Sequence, residues 1–222
     1  PVYLQPVLGE ARRLCREILG QIDSDDCIRF SKIGSRATLG NTLDKAYIDI
    51  KLGEPEAFTC PSILREDFFK VCHDDPVLSR VVARLFRKGE RLRLDADSLR
   101  LVFVPKSWKI RRPITPLSLI GLYWSYGIAE CVTRRLKDSG LDIRRLQKRH
   151  GRLAQRMSKT RDGVTADLSS ASDSITRSLL NRVLPRQWYR AVKKTFIDHY
   201  EYGERVFYSM SPLPMGNACT FP

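Results

Sequence analysis

The sequence predicts an α+β fold, on three observations. Apolar residues recur at helical spacing as far as Gly89. One run of branched and aromatic residues, LRLVFV at 99–104, then reads as a strand. Beyond it, helical and strand-like segments mix without the regular alternation of a βαβ fold.

The elements follow in order. Val7, Ala11, Leu14, Cys15, Ile18 and Ile22 keep helical spacing and predict an opening helix. Residues 34–42 (GSRATLGNT) predict a loop. Ser62 is expected to cap a helix reaching Cys72, with Leu64, Phe68 and Val71 on one face. Asp75-Pro76 starts the next, whose stripe is Val77, Val81, Val82, Leu85 and Phe86 and whose stop is Gly89. After the strand, 117–137 predicts a largely buried helix that turns basic at its end, the sense the helix dipole favours. Residues 163–166 (GVTA) predict a short strand ending at Asp167. Ile175, Leu179 and Val183 predict a helix from about Ser174 that Pro185 stops. Phe207 and Tyr208 close a further strand before the Gly216-Asn217 turn.

Composition narrows the function. A hydrophobic content of 42% argues against general disorder. Lys and Arg number 39 against 25 Asp and Glu, a net charge of +14, which favours a polyanionic partner. A ribosomal-type or membrane-surface protein carries the same signature. The six cysteines show no C-x-x-C spacing and there are three histidines, so neither a zinc site nor a dense disulfide framework is expected. Reduced, mostly buried thiols of an intracellular protein are expected instead. The most apolar run, 117–129, is too short to span a bilayer, no signal peptide is visible, and no membrane partner is expected. The chain starts at Pro1 and stops at Pro222 just after a Gly-Asn turn, so both ends read as cuts and the chain as a fragment.

Four segments carry candidate chemistry. In DLSSASDS at 167–174, Asp167 at a strand end suits a hard cation such as Mg²⁺, and Asp173 lies beyond a run of small residues that leaves room for a nucleotide sugar. The same residues also serve as helix caps and turns, and alone that is the commoner use. Lys106, Lys109, Arg111 and Arg112 form a cationic run with no acidic residue anywhere between 98 and 129. Such a run suits a triphosphate, and Pro105 and Pro113 stiffen it where a solvated basic loop would be mobile. Trp108 within it is expected in the core by default, with stacking on a base as the alternative. In SMSPLPMGNACT at 209–220, Gly216 permits close backbone approach, and Asn217 offers the donor and acceptor that a ribose 2′-OH requires, although an ordinary turn explains both. Last, 134–161 holds eleven Lys and Arg against Asp138 and Asp142, enough to track a phosphate backbone.

In this order the segments resemble the replicase β-type subunit of the positive-strand RNA bacteriophages, the leviviruses. DLSSASDSI at 167–175 is similar to that family's polymerase motif A, VPKSWKIRRPI at 104–114 to motif F, and MGNACTF at 215–221 to the start of motif B. GLDIRRLQKRHGRLAQ resembles the segment leading to motif A. The likeness covers roughly the C-terminal half, and residues before Leu99 match loosely.

The resemblance implies a right-hand polymerase fragment, with fingers and the first part of the palm. Residues 1–98 would be a mainly helical fingers-like region, 99–163 a basic fingers region with the triphosphate loop, and 164–222 the start of the palm. Asp167 would be a metal ligand and, with Asp173, catalytic. Asp173, Gly216 and Asn217 would recognise the ribose 2′-OH. Lys106, Lys109, Arg111 and Arg112 would bind the triphosphate. Mg²⁺ would be the cofactor of a two-metal nucleotidyl transfer. RNA template and product, ribonucleoside triphosphates and host translation factors would be the partners, in the cytoplasm of a bacterial host. The family's Gly-Asp-Asp motif and thumb lie beyond motif B and are absent from this sequence, so the fragment alone is expected to be inactive. Three rivals stand beside this reading. A reverse transcriptase would place a bulky aromatic shortly after Asp167, and none is there. A narnavirus-like or mitovirus-like polymerase shares the D-L-S wording. A non-catalytic basic RNA-binding protein explains the charge but not the small-residue turn.

Overall fold

The computed structural model describes residues 4–41, 47–166, 171–209, 211–213 and 215–220. It is a mixed α+β structure, as the sequence predicts. The first part is helical: α1 (Leu4–Leu19), α2 (Ser24–Arg29), α3 (Ile48–Gly53), α4 (Arg65–Asp74) and α5 (Pro76–Arg87). Strands β1 (Leu99–Arg100), β2 (Val102–Pro105) and β3 (Arg111–Ile114) follow. Four helices come next, α6 (Leu119–Asp138), α7 (Ile143–Thr160), α8 (Arg177–Val183) and α9 (Arg186–Lys193), and the hairpin β4 (His199–Tyr202) and β5 (Arg205–Tyr208) follows them.

Helix α6 organises the core. Its first half, from Leu119 through Ser125, is buried without interruption. It must therefore be touched on every side, and it is. Ser118 caps its start by accepting from the Gly121 N–H at 3.1 Å. Gly127 lets α2 approach so closely that a Cβ there would lie 1.9 Å from the Cys27 carbonyl oxygen. On the α9 side the Trp124 indole donates to the Ala191 carbonyl at 3.3 Å, and Trp188 donates to the Gly20 carbonyl at 3.0 Å. Buried indole N–H groups need such acceptors, which is why both tryptophans end at backbone oxygens. Asp75 joins α5 to this core. One of its carboxylate oxygens caps α5 through the Val77 and Leu78 N–H groups, and the other accepts from the Tyr123 hydroxyl at 3.1 Å.

Several expectations need correction. The opening helix stops at Leu19 because Gly20 takes φ +59°, although Ile22 beyond it is still buried. Ser62 caps no α-helix. It begins a 3-10 turn, Ser62–Leu64, ahead of α4, and its N–H donates to the Asp97 carboxylate at 2.7 Å. The buried stripe of α5 is Leu78, Val81, Val82 and Leu85, while Val77 and Phe86 are exposed. At 100° per residue the last two fall about 90° to either side of that stripe. The last helix of the expected set starts at Arg177 with Thr176 as its cap, later than Ser174. Residues 163–166 form no strand: all four are exposed, and among the described residues no neighbouring strand pairs with them. A ladder needs two partners, and an isolated run of four residues has no reason to stay extended.

The expected strand at 99–104 is two strands divided at Leu101. β1 pairs in parallel with β4, which pairs antiparallel with β5. β2 turns away to pair with β3 in a separate hairpin, in the register Val102↔Ile114 to Pro105↔Arg111. The two sheets touch where the Phe103 ring meets the Tyr202 ring edge-on at 5.4 Å. All six cysteines are free thiols, and Cys27, Cys60 and Cys131 are buried, in line with the composition.

Candidate nucleotide site

The cationic run folds into the tip of the β2–β3 hairpin. The Lys106 and Ser107 N–H groups both donate to the Ile110 carbonyl, at 2.9 and 3.1 Å, and the Ile110 N–H donates to Ser107 Oγ at 3.2 Å. The tip is thus tied by its own backbone, and its side chains point to solvent. Lys106, Lys109 and Arg111 are exposed and Arg112 is half-buried. None of the four pairs with a carboxylate among the described residues, so their charge is left for a ligand. Trp108 is not in the core. It is 89% exposed, with the Lys109 ammonium 4.4 Å from its ring centroid.

The chain leaving β3 meets the Gly216-Asn217 turn. The buried Thr115 N–H donates to the Met215 carbonyl at 3.3 Å, and a Cβ on Gly216 would stand 3.1 Å from the Thr115 carbonyl oxygen. Gly216 also holds φ +113°, which residues with a Cβ rarely adopt. Asn217 is buried. Its Nδ2 donates to the Thr195 carbonyl and hydroxyl at 3.1 and 3.2 Å, and its Oδ1 accepts from the Cys219 N–H at 2.9 Å. The amide therefore ties the loop to Thr195 and to its own following turn.

The turn after the small-residue run lies against the same loop. Ser211 Oγ donates to the Ser172 carbonyl at 3.3 Å, and Asp173 beside it is exposed. Asp167 and its three successors lie outside the described residues. The structure so brings two segments that are far apart in sequence onto one loop: Thr115, at the exit of the cationic hairpin, meets Met215, and Ser172, in the Asp173 turn, meets Ser211.

Sequence reasoning missed the groups that hold this arrangement. Thr115, Thr195 and Ser211 are small polar residues with no motif to mark them, though Thr115 between Pro113 and Pro116 hinted at a fixed segment. It also missed Arg177, which donates to the Ile197 carbonyl at 2.7 Å and pairs with Asp198. Those two help line a cleft of about 560 Å³ with Ser118, Gly121, Lys193 and Thr195.

The described residues do not by themselves fit a metal ion. Asp173 is a lone carboxylate, and no three His, Cys, Asp or Glu side chains converge among the described residues. No helix among them is long and apolar enough to cross a membrane.

Fold and site first define a class: a mixed α+β protein in which the exit of a cationic hairpin and the Asp173 turn both meet one polar loop. The family described as RNA replicase, beta-chain, matches residues 3–221. The chain is 36% identical over 124 residues to the RNA-directed RNA polymerase beta chain of Enterobacteria phage fr, covering 53% of this chain and 22% of that protein. It is 36% identical over 120 residues to the protein of the same name from Escherichia phage MS2, with the same coverage of 53% and 22%. It is 27% identical over 183 residues to the RNA-directed RNA polymerase subunit beta of Escherichia virus Qbeta, covering 82% of this chain and 29% of that protein. The chain belongs to the RNA replicase beta-chain family. It spans less than a third of the length of the curated relatives it matches.

Proposed function

We propose that this chain is part of an RNA-directed RNA polymerase that replicates viral RNA by templated transfer of nucleotides from triphosphates to an RNA 3′-OH. On this reading residues 1–98 are helical fingers, 99–163 the basic part of the fingers with the triphosphate loop, and 164–222 the start of the palm. The observation that supports it most is the meeting of the three motif-like segments through Thr115 with Met215 and Ser211 with Ser172. Phosphoryl transfer needs little covalent chemistry from a protein. It needs a positioned triphosphate and compensation of charge on the leaving group. Lys106, Lys109, Arg111 and Arg112 would supply the second, holding the triphosphate and offsetting the charge that grows on pyrophosphate as the bond breaks.

Asp173 and the Gly216-Asn217 turn would face the ribose. To donate to the 2′-OH, Asn217 would exchange a Thr195 hydrogen bond, since both contacts of its Nδ2 go to Thr195 without ligand. Mg²⁺ is the proposed metal, with Asp167 as this chain's ligand and the other ligands in the remainder of the protein. The 222 residues alone would be inactive for that reason. Template and product RNA, ribonucleoside triphosphates and host translation factors are the proposed partners, in the bacterial cytoplasm. Asp167→Asn in the full-length protein tests the reading. Templated synthesis should vanish while RNA affinity is retained; synthesis that survives, or a wild type that binds RNA and makes none, overturns it.

A further inference from the structure

Helix α7 is 18 residues long, contains seven Lys and Arg, and has no acidic residue. At 100° per residue, Arg145, Lys148, Arg149, Arg152, Arg156 and Lys159 fall within an arc of about 100°, and at 1.5 Å per residue they extend over about 21 Å. All six are exposed. Ile143, Leu146, Leu153, Ala154 and Met157 take a separate arc of similar width, centred about 140° away, and are half-buried. The helix is therefore fixed by one face and shows a straight cationic stripe on another.

Little neutralises that stripe. Arg144, outside the arc, pairs with Glu130, and Arg145 lies 3.4 Å from the Asp142 carboxylate. Lys148, Arg149, Arg152, Arg156 and Lys159 form no ion pair among the described residues. A groove of about 580 Å³ runs beside Arg145, Lys148, Arg149, Arg152 and Arg156. Like charges three and four residues apart weaken a helix. Such spacings repeat along this face with almost no compensating acid, so they cost stability in the free protein and are relieved by a polyanion.

The stripe is also close to Asp167 along the chain. The helix ends at Arg161, which takes a left-handed φ of +57° and turns the chain back. Met157 then rests on Gly163, where a Cβ would lie 1.9 Å from its terminal methyl. Five residues lie between Arg161 and Asp167, and the six steps span at most about 21 Å of chain.

We propose that the outer face of α7 is a sequence-independent seat for an RNA phosphodiester backbone. This rests on the polymerase reading for the identity of the polyanion. The charges are of the kind that meet phosphates alone, so affinity depends on salt and not on base sequence.

The test uses the full-length protein with Arg149→Gln, Arg152→Gln and Arg156→Gln combined. Binding of a single-stranded and of a duplex RNA is measured across a salt series. The slope of log affinity against log salt should flatten by about 2 for the single strand, about 0.7 for each phosphate that is no longer neutralised. The matched triple Arg→Lys variant should keep the slope, because a point charge suffices. RNA synthesis by the wild type in the same preparation separates this result from failure of the polymerase reading, where the wild type makes no RNA at all. A slope unaltered for both RNAs overturns the proposal. So does binding to anionic phospholipid vesicles that the triple Gln variant abolishes while RNA binding is kept, which would assign the stripe to a membrane surface.

Discussion

Asn217 holds Thr195 by both the carbonyl and the hydroxyl, at 3.1 and 3.2 Å, inside a loop where it is itself 2% exposed. A buried amide in this position is structural before it is anything else. Asn217→Ala leaves the Thr195 carbonyl and the Cys219 N–H unpaired, which costs about 1–3 kcal/mol. Thermal unfolding of the 222-residue chain should report it. If Asn217 also meets the ribose, the full-length variant loses discrimination between ribo- and deoxyribonucleotides; discrimination kept intact would leave Asn217 as a clamp alone.

Gly216→Ala meets two obstacles, a φ of +113° and a Cβ 3.1 Å from the Thr115 oxygen. The strain amounts to about 1–3 kcal/mol, or a fall of roughly 2–12 °C in Tm for a chain of this size. A melting point equal to wild type would show that the loop yields easily.

Lys106→Ala and Arg112→Ala in the full-length protein should each lower kcat/KM for nucleotides by about 10- to 100-fold, the worth of a charge-assisted hydrogen bond of about 1.5–3 kcal/mol. The loss should fall mainly on KM if the interaction is made equally in ground and transition states, and on kcat if it forms with the leaving group. Steady-state kinetics with a fixed template distinguishes them. No change in either constant removes the hairpin from the site.

Trp124 and Trp188 are each 1% exposed, against 89% for Trp108. Acrylamide should therefore quench one emitting class in this chain and leave a second, blue-shifted class protected. Trp108→Ala should delete the accessible class with little effect on Tm. Uniform quenching of all three would contradict the packing around α6.

Burial raises the thiol pKa values, because a thiolate cannot be solvated in the core: from an ordinary 9.0 to about 11 for Cys131 and about 12 for Cys60, Cys72 and Cys219. The folded state thus keeps protons that the unfolded chain releases. Stability from this source is complete below pH 9 and is lost as pH rises through 9 towards 12. Denaturant titrations at about pH 8 and about pH 10, either side of the unfolded thiol pKa, should show a lower midpoint at the higher pH. Alkylation at the lower pH should be slow until the protein is unfolded. Equal midpoints would deny the burial.

The elements with strong periodicity were readable in advance. Helix α6 follows from its apolar run, and α5 from Asp75-Pro76 and Gly89, with Leu78 in place of Val77 because one residue of phase is invisible to a window of alternating apolar pairs. The strands were harder. The run at 99–104 looks continuous, and nothing local says that Leu101 divides it between a parallel partner at β4 and an antiparallel one at β3. At the site, charge and glycine were legible, since each acts alone. Thr115, Thr195 and Ser211 were not, because their importance is the neighbour that the fold assigns them.

The pairing of Leu99 with Tyr200 has a consequence for the order of events during synthesis. Pairings so far apart in sequence form late, after the entropy of closing the intervening loop has been met. Helices α1 to α6 can gather while the ribosome is still adding residues, but β1 has no partner until β4 emerges. The cationic hairpin can therefore close on itself early, while the sheet edge beside it is set only when nearly the whole of this sequence has been translated.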